Sequence, residues 1–429
     1  MTASIATNQT ILVVGGGIAG MTAALEAAEC GKQVILAEKT PTLGGRTSLL
    51  YRYFPKMCHP TCGLEINLKR IRGNPNVRVM TMTEVAAVSG SRGDYTVTLK
   101  VKPRYVNENC TACGDCGKAV QAEIPNVANY GLDKVKAAYL PHGMAYPQRY
   151  VIDPSIVGTA DGEAAKAACK VGAVDLGMQE ETIEMKVGSV VWATGWHPYD
   201  AAKIQPYGYD RIPNVITSLE FERLADVRGP TGGKLLRPSD GKEAKNIAFI
   251  QCAGSRDENH LRHCSRICCM ASLKQTQYVR EACGDEGKST VYYIDIRAID
   301  RFEDFYANVY KDPNVSFVKS KVARIAVNEA NGNPILHGVN TEGYHRYATE
   351  HDLVVLAVGM EPEVTGITLP DDLLLDSSNF ILGSNTGGMF GAGSAAGPLD
   401  VNRAVQSATA ASLKAIQVIH KTASTEASA

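Results

Sequence analysis

The feature that most constrains this chain is a glycine-rich turn set between a strand and a helix. Residues 10–14 (TILVV) read as a short buried strand, Gly15-Gly16-Gly17-Ile18-Ala19-Gly20 follows at once, and an alanine-rich helical stretch runs to about Cys30. A second strand, Gln33 to Ala37, ends at Glu38. Glycines at the G-x-G-x-x-G positions 15, 17 and 20 let backbone N–H groups approach a pyrophosphate at the positive end of a helix. Ile18 and Ala19 complete that turn, Glu38 is placed to accept hydrogen bonds from an adenosine ribose, and Lys39 follows it. A merely structural tight turn is the alternative. The strand before, the helix after and the acidic residue 23 positions beyond Gly15 favour a dinucleotide site.

The rest of the chain continues the α/β alternation. Its 429 residues allow two or three domains. Strand signals recur at Val77 to Val88, in YTVTLKV, and at Glu184 to Val191, which leads into Ala193-Thr194-Gly195. A second βαβ-like unit starts with Asn246 to Ile250, passes through a helical stretch around 267–282 and returns at Thr290 to Ile296. Asp352 to Val358 reads as a further strand, Gly388 to Gly397 as a glycine-rich turn, and Asn402 to His420 as a long helix, with KTASTEASA as a disordered tail. Lys plus Arg total 44 and Asp plus Glu 45, without blocks of one sign, which excludes a general nucleic-acid binder. The N-terminal residues lack the marks of a signal peptide, and apolar runs such as Leu353 to Met360 fall far short of the ~20 residues of a spanning helix. A membrane role would need a partner.

Twelve cysteines without an export signal imply reduced thiols and metal ligation. From 107 to 175 the apolar rhythm weakens, as in a small inserted domain, and Cys110-Thr-Ala-Cys113-Gly-Asp-Cys116 opens a bacterial ferredoxin run. The fourth cysteine of that run is missing; Val120 and Gln121 stand near its place. In two-cluster ferredoxins that fourth cysteine serves the other cluster. The ligand needed here is the last cysteine of the second run, and Cys169-Lys-Val-Gly-Ala-Val-Asp resembles that ending. One 4Fe-4S cluster on Cys110, Cys113, Cys116 and Cys169 is expected, with a zinc knuckle as the alternative.

The second βαβ-like unit has lost its fingerprint. Gln251-Cys252-Ala253-Gly254-Ser255-Arg256 holds one glycine where three are wanted, and Cys252, Cys264, Cys268 and Cys269 stand there instead. Intervals of twelve, four and one match no common zinc site but suffice for a second 4Fe-4S cluster; buried free thiols are the alternative. Cys58-His-Pro-Thr-Cys62 is open between a redox-active disulfide, shared ligation and neither. Cys30, Cys283, His197 and His263 are most simply structural.

Gly44-Gly45-Arg46, Ala193-Thr194-Gly195 and Gly391-Ala392-Gly393-Ser394 together resemble the two-dinucleotide-domain flavoproteins. That resemblance implies FAD at the first site, contacted by Gly45, Arg46, Ala193, Thr194, Gly195, Gly393, Ser394 and Val401, with Val85 near the adenine. Ser394 stands where many relatives carry Asp. The string CAGSRDENHLRHCSRICCMASLK is very similar to the flavin subunit of the heterodisulfide reductase A-like family, among whose members is the A subunit of the quinone-interacting membrane-bound oxidoreductase complex. The implied fold is a Rossmann-like FAD domain (1–106, 176–235 and 350–429), a ferredoxin-like insert (107–175) and a degenerate NAD-type domain (240–349). The implied function is electron transfer through FAD and two 4Fe-4S clusters, between menaquinol and adenylylsulfate reductase. Partners would be a second flavin/iron-sulfur subunit together with a membrane quinone-reactive subunit, holding the chain at the inner face of the cytoplasmic membrane. Lys274 resembles the family lysine near the flavin ring, where its charge would stabilise reduced flavin; a solvated helix lysine is the alternative. The alternatives to this function are a soluble heterodisulfide reductase-like subunit of sulfur metabolism, an NAD(P)H-dependent disulfide reductase using Cys58 and Cys62, and a redox-silent scaffold.

Overall fold

A buried β-strand followed by a helix of small residues folds as the first forty residues imply. β1 (Thr10–Val14) is buried along its length, and α1 (Ile18–Glu29) buries nine of its 12 residues, six of them alanine or glycine, so it is covered on two sides. One side is the parallel pairing of β1 with β2 (Gln33–Glu38), and the other is the helix Val401–Glu426. That helix shares α1's core through Ala408, Ala411 and Ala415, and Ser412 Oγ donates to the Ala23 carbonyl at 3.1 Å. The helix runs on to Glu426, into the stretch expected to be a disordered tail. The computed structural model describes residues 6–364, 373–382 and 387–426, so the last three residues of that tail lie outside the described residues.

The chain divides into two units. The first comprises residues 1–48, 61–196 and 362–429. Its five-stranded parallel sheet has the order Met389–Gly391, Ser189–Trp192, β1, β2, Val77–Thr81. A three-stranded antiparallel sheet, Thr83–Ser91, Asp94–Val101 and Glu181–Val187, packs beside it around Trp192 and Tyr95. The strand expected across 77–88 is therefore two strands of different sheets, broken at Met82, whose φ is +57°. The insert has its own small core of Val106, Val120, Ala138, Ile152, Ala165 and Val174.

The second unit comprises Leu49–Pro60 and His197–Glu361. Its parallel sheet has the order Val215–Thr217, Leu353–Val358, Asn246–Ala253, Lys288–Tyr293, Val315–Lys319. The helix Cys268–Cys283 makes the crossover between the strands Asn246–Ala253 and Lys288–Tyr293. Residues 197–235 and 350–361 differ from the sequence expectation. They fall in this unit because Val215–Thr217 and Leu353–Val358 pair within its sheet. Among the described residues no helix is long and apolar enough to cross a membrane.

Candidate functional site

The dinucleotide turn is built by close backbone approach. A Cβ on Gly20 would lie 1.7 Å from the Gly15 carbonyl oxygen, and one on Gly15 (φ +103°) would lie 2.3 Å from that of Ala193. Gly17 differs: nothing lies nearer to its Cβ position than Gly45 Cα at 3.9 Å. It precedes α1 without a side-chain cap, and no acidic residue occupies the first turn, so neither cap nor first-turn side chains answer the positive helix end. Glu38, nearly buried, accepts from the Gly16 and Thr40 amides, which fixes its carboxylate beside the turn. The hydroxyl of Thr194 is buried there without a protein partner. An open cradle at a helix N-terminus and an orphaned hydroxyl fit a bound dinucleotide.

The other expected contacts gather around this turn. The Gly44 amide donates to the Gly16 carbonyl at 2.9 Å, and Gly45 (φ +53°) abuts Gly17. Arg46 Nε donates to the Trp196 carbonyl at 2.6 Å while its guanidinium lies over the Trp196 ring. Gly393 (φ +60°) packs against Ala19, Ser394 continues that 3-10 turn, and Val401 opens the last helix. Gly195 takes φ +77° after Ala193 and Thr194. Lys39 pairs with Glu363 at 2.9 Å, and Val85 is buried in the antiparallel sheet.

In the insert, Cys110, Cys113, Cys116 and Cys169 line one small cavity with Val106, Tyr150 and Val171. Ala112, at φ +57°, turns its amide onto Cys110 Sγ (3.4 Å), and the Ala173 amide donates to Cys169 Sγ (3.1 Å). Gly114 (φ +88°) starts the short helix that carries Cys116, and Cys169 caps the helix Ala160–Ala168. Val120 is wholly buried where the missing ligand would stand. Burial, and the neighbouring Cys110, Cys169 and Cys113, push the Cys116 thiol up to about 11. Holding Cys116 as a thiolate there calls for a cation among the four sulfurs.

The second four-cysteine set also converges. Cys252 (φ +56°) ends a strand, Cys264 lies in the following loop, and Cys268 and Cys269 open a helix. Arg266, at φ +64°, points its amide at Cys264 Sγ (3.3 Å), repeating the turn at Cys110. Burial, together with Cys269, Cys252 and Cys264, pushes Cys268 well above the usual thiol range, and burial pushes Cys269 up to about 11. The loop is fixed by the contact of Ser255 with Ser265 (2.9 Å) and by the Met360 amide on Ser265 Oγ (2.8 Å). The lone glycine offers no cradle, since a Cβ on Gly254 would lie 2.4 Å from the Tyr199 ring. Among the described residues no group of His, Cys, Asp or Glu side chains is arranged to hold a single metal ion. A 4Fe-4S cube sets its four thiolates farther apart than a lone zinc with bonds of about 2.3 Å.

Residues 10–91 match the family described as FAD dependent oxidoreductase. The chain is 36% identical over 428 residues to the A subunit of the Ferredoxin/F(420)H(2)-dependent CoB-CoM heterodisulfide reductase of Methanosarcina acetivorans, covering 96% of this chain and 53% of that protein. It is 37% identical over 418 residues to the A 2 iron-sulfur subunit of the CoB--CoM heterodisulfide reductase of Methanopyrus kandleri, covering 94% and 63%. Over nearly its whole length the chain is similar to the A subunits of heterodisulfide reductases. It spans between half and two thirds of the length of these curated relatives. The fold is that of thioredoxin reductases: the enzyme from T. acidophilum superposes with a TM-score of 0.53 at 12% identity, covering 95% of this chain and 98% of that one.

Lys274 is not a solvated helix lysine. Its side chain is 3% exposed, and Nζ pairs with Glu222 at 2.7 Å and donates to the Arg52 carbonyl at 2.7 Å. Glu222 also accepts from the Tyr51 amide, Gln275 and Tyr278, so it fastens residues 51–52 to the second unit. Glu222, Arg104 and the Arg256–Asp295 pair beside Cys252 were not singled out from the sequence. No spacing rule marks an isolated Glu or Arg whose partners are backbone carbonyls or distant side chains. Cys58 belongs to the second unit and Cys62 to the first, and both are exposed.

Proposed function

We propose that this chain is the FAD and iron-sulfur electron-transfer subunit of a multi-subunit oxidoreductase, working between menaquinol and adenylylsulfate reductase. FAD would be held at Gly15 to Gly20, Glu38 and Thr194, one 4Fe-4S cluster by Cys110, Cys113, Cys116 and Cys169, and another by Cys252, Cys264, Cys268 and Cys269. Bound FAD exchanges electrons in pairs or singly, whereas each cluster passes one at a time. The protein's own part is to place amides on the sulfurs at Ala112, Ala173 and Arg266.

The observation that carries this reading is the convergence of both four-cysteine sets, with the same left-handed amide-to-sulfur turn in each. The partners would be a second flavin/iron-sulfur subunit together with a membrane quinone-reactive subunit, which would hold the chain at the inner membrane face. The names of the curated relatives favour a second reading, a heterodisulfide reductase-like subunit of sulfur metabolism. An NAD(P)H-dependent reductase is disfavoured by the Tyr199 ring against Gly254. The role of Lys274 at the flavin rests on the family resemblance alone. Cys169→Ala in the anaerobically purified chain tests the assignment: about half the iron should be lost with FAD retained. Full iron in that variant would remove Cys169 from the set. Isolation of the native complex with adenylylsulfate reductase absent from its partners would favour the second reading.

A further inference from the structure

The insert meets the dinucleotide fold at one buried cation. Arg104 is 6% exposed. Its Nε donates to the Tyr150 carbonyl (2.9 Å), Nη2 to the Arg149 carbonyl (2.7 Å), and Nη1 to the Pro41 carbonyl (2.7 Å) and Thr81 Oγ1 (3.3 Å). None of these partners carries a charge. Tyr150 lines the cavity of the four cysteines, and its side chain lies against the cysteine loop, the hydroxyl 3.1 Å from a Cβ position on Gly114 and the ring 3.2 Å from one on Gly117. Pro41 leads through Thr42 and Leu43 to Gly44, whose amide bonds Gly16 in the dinucleotide turn. Beside Arg104, the Leu43 amide donates to the Tyr146 carbonyl (2.9 Å) and the Tyr146 amide to Thr42 Oγ1 (2.8 Å).

We infer that Arg104 is a positioning residue that locks the insert's cysteine loop to the dinucleotide turn and raises the reduction potential of the centre those cysteines hold. The planar fork of a guanidinium reaches several carbonyls at once, which a lysine cannot do. Burial, and then the neighbouring Arg149 charge, lower its pKa to about 10, so the cation persists at neutral pH, and Cys110 lies near enough to act on it electrostatically. A buried cation without a carboxylate is costly unless some other negative group answers it. Four thiolates on a cluster are that group, and a fixed positive charge favours the more reduced, more negative state.

This inference rests on the proposed insert cluster. The test uses the full chain, loaded anaerobically with iron, sulfide and FAD, and EPR-monitored redox titration of the signal that Cys169→Ala abolishes. Arg104→Gln should keep iron and FAD while its insert centre becomes at least tenfold harder to reduce, a shift of about 59 mV for one electron. Arg104→Lys keeps the charge, so its potential should stay with the parent, while residues 107–175 become several-fold more sensitive to protease. If Arg104→Gln does not fold, Arg104→Lys decides: a parent-like cleavage rate overturns the lock. An unchanged potential in iron-loaded Arg104→Gln overturns the inference alone. No insert iron in the parent chain overturns both this inference and the cluster reading.

Discussion

Replacing Glu222 by Gln isolates the ion pair that holds residues 51–52 to the second unit. Both side chains of the Lys274–Glu222 pair are 3% exposed, so water neither screens the attraction nor compensates its loss. Glutamine can still accept from Tyr278 and the Tyr51 amide, but it leaves the Lys274 ammonium buried without a counter-charge. Removing one partner of a buried pair costs about 3–5 kcal/mol, whereas replacing both by apolar groups is often near neutral. Local opening of the helix Cys268–Cys283 should become on the order of a hundred- to several-thousand-fold more frequent.

Both tryptophans, Trp192 and Trp196, lie in the first unit, so fluorescence does not follow this helix. Amide hydrogen exchange across 268–283, corrected for intrinsic rates, does. The pH dependence has a definite sign. Burial already holds Lys274 below the usual lysine range despite Glu222, and loss of that carboxylate lowers it further. Between that lowered value and about 10.4 the unfolded chain binds more protons than the folded one. The variant should therefore regain stability as pH rises towards about 10 and be weakest in acid. Glu222→Gln combined with Lys274→Met should restore most of the protection. A cost below about 1 kcal/mol, with a parent-like pH profile and no effect of the second substitution, would refute the argument.

Gly17→Ala should fold, because the added methyl meets nothing nearer than 3.9 Å, yet it should lose FAD at least tenfold because it occupies the pyrophosphate's side of the turn; flavin absorbance per chain and the melting temperature of the apoprotein separate the two effects. Gly20→Ala, 1.7 Å from the Gly15 carbonyl oxygen, should lower that melting temperature as well. His351 is buried between the Tyr292 hydroxyl and Asn246, and burial lowers its pKa from 6.5 to about 4. Because the unfolded histidine protonates first, stability of the second unit is intact above about pH 6.5 and falls as pH drops towards 4, by about 3 kcal/mol in all. Exchange of the Leu353–Val358 amides measures it, and His351→Gln should flatten the slope.

The first βαβ unit was legible because three constraints coincide at one place: the glycine spacing, the flanking periodicities and Glu38. The cysteine sets were legible because thiols at metal-ligand spacings have few other uses, and the loss of the fourth ligand near Val120 is matched by the survival of Cys169. Strand ends were less legible. Met82 breaks a strand-like stretch by taking a left-handed conformation that nothing in its side chain announces. Membership of Leu353–Val358 in the second sheet depends on pairing with a strand more than a hundred residues earlier in sequence, which local pattern cannot supply. Residues such as Arg104 and Glu222 act through backbone carbonyls or a distant lysine, and such partners leave no periodicity to read.

The most direct test of the account is the stoichiometry of iron, acid-labile sulfide and flavin in the anaerobically purified chain, with Mössbauer spectra to identify the iron. Two four-cysteine sets and one dinucleotide site predict about eight iron, about eight sulfide and one FAD per chain, with all iron in 4Fe-4S form. Zinc in place of iron, or thiols that stay free beside a bound FAD, would contradict it.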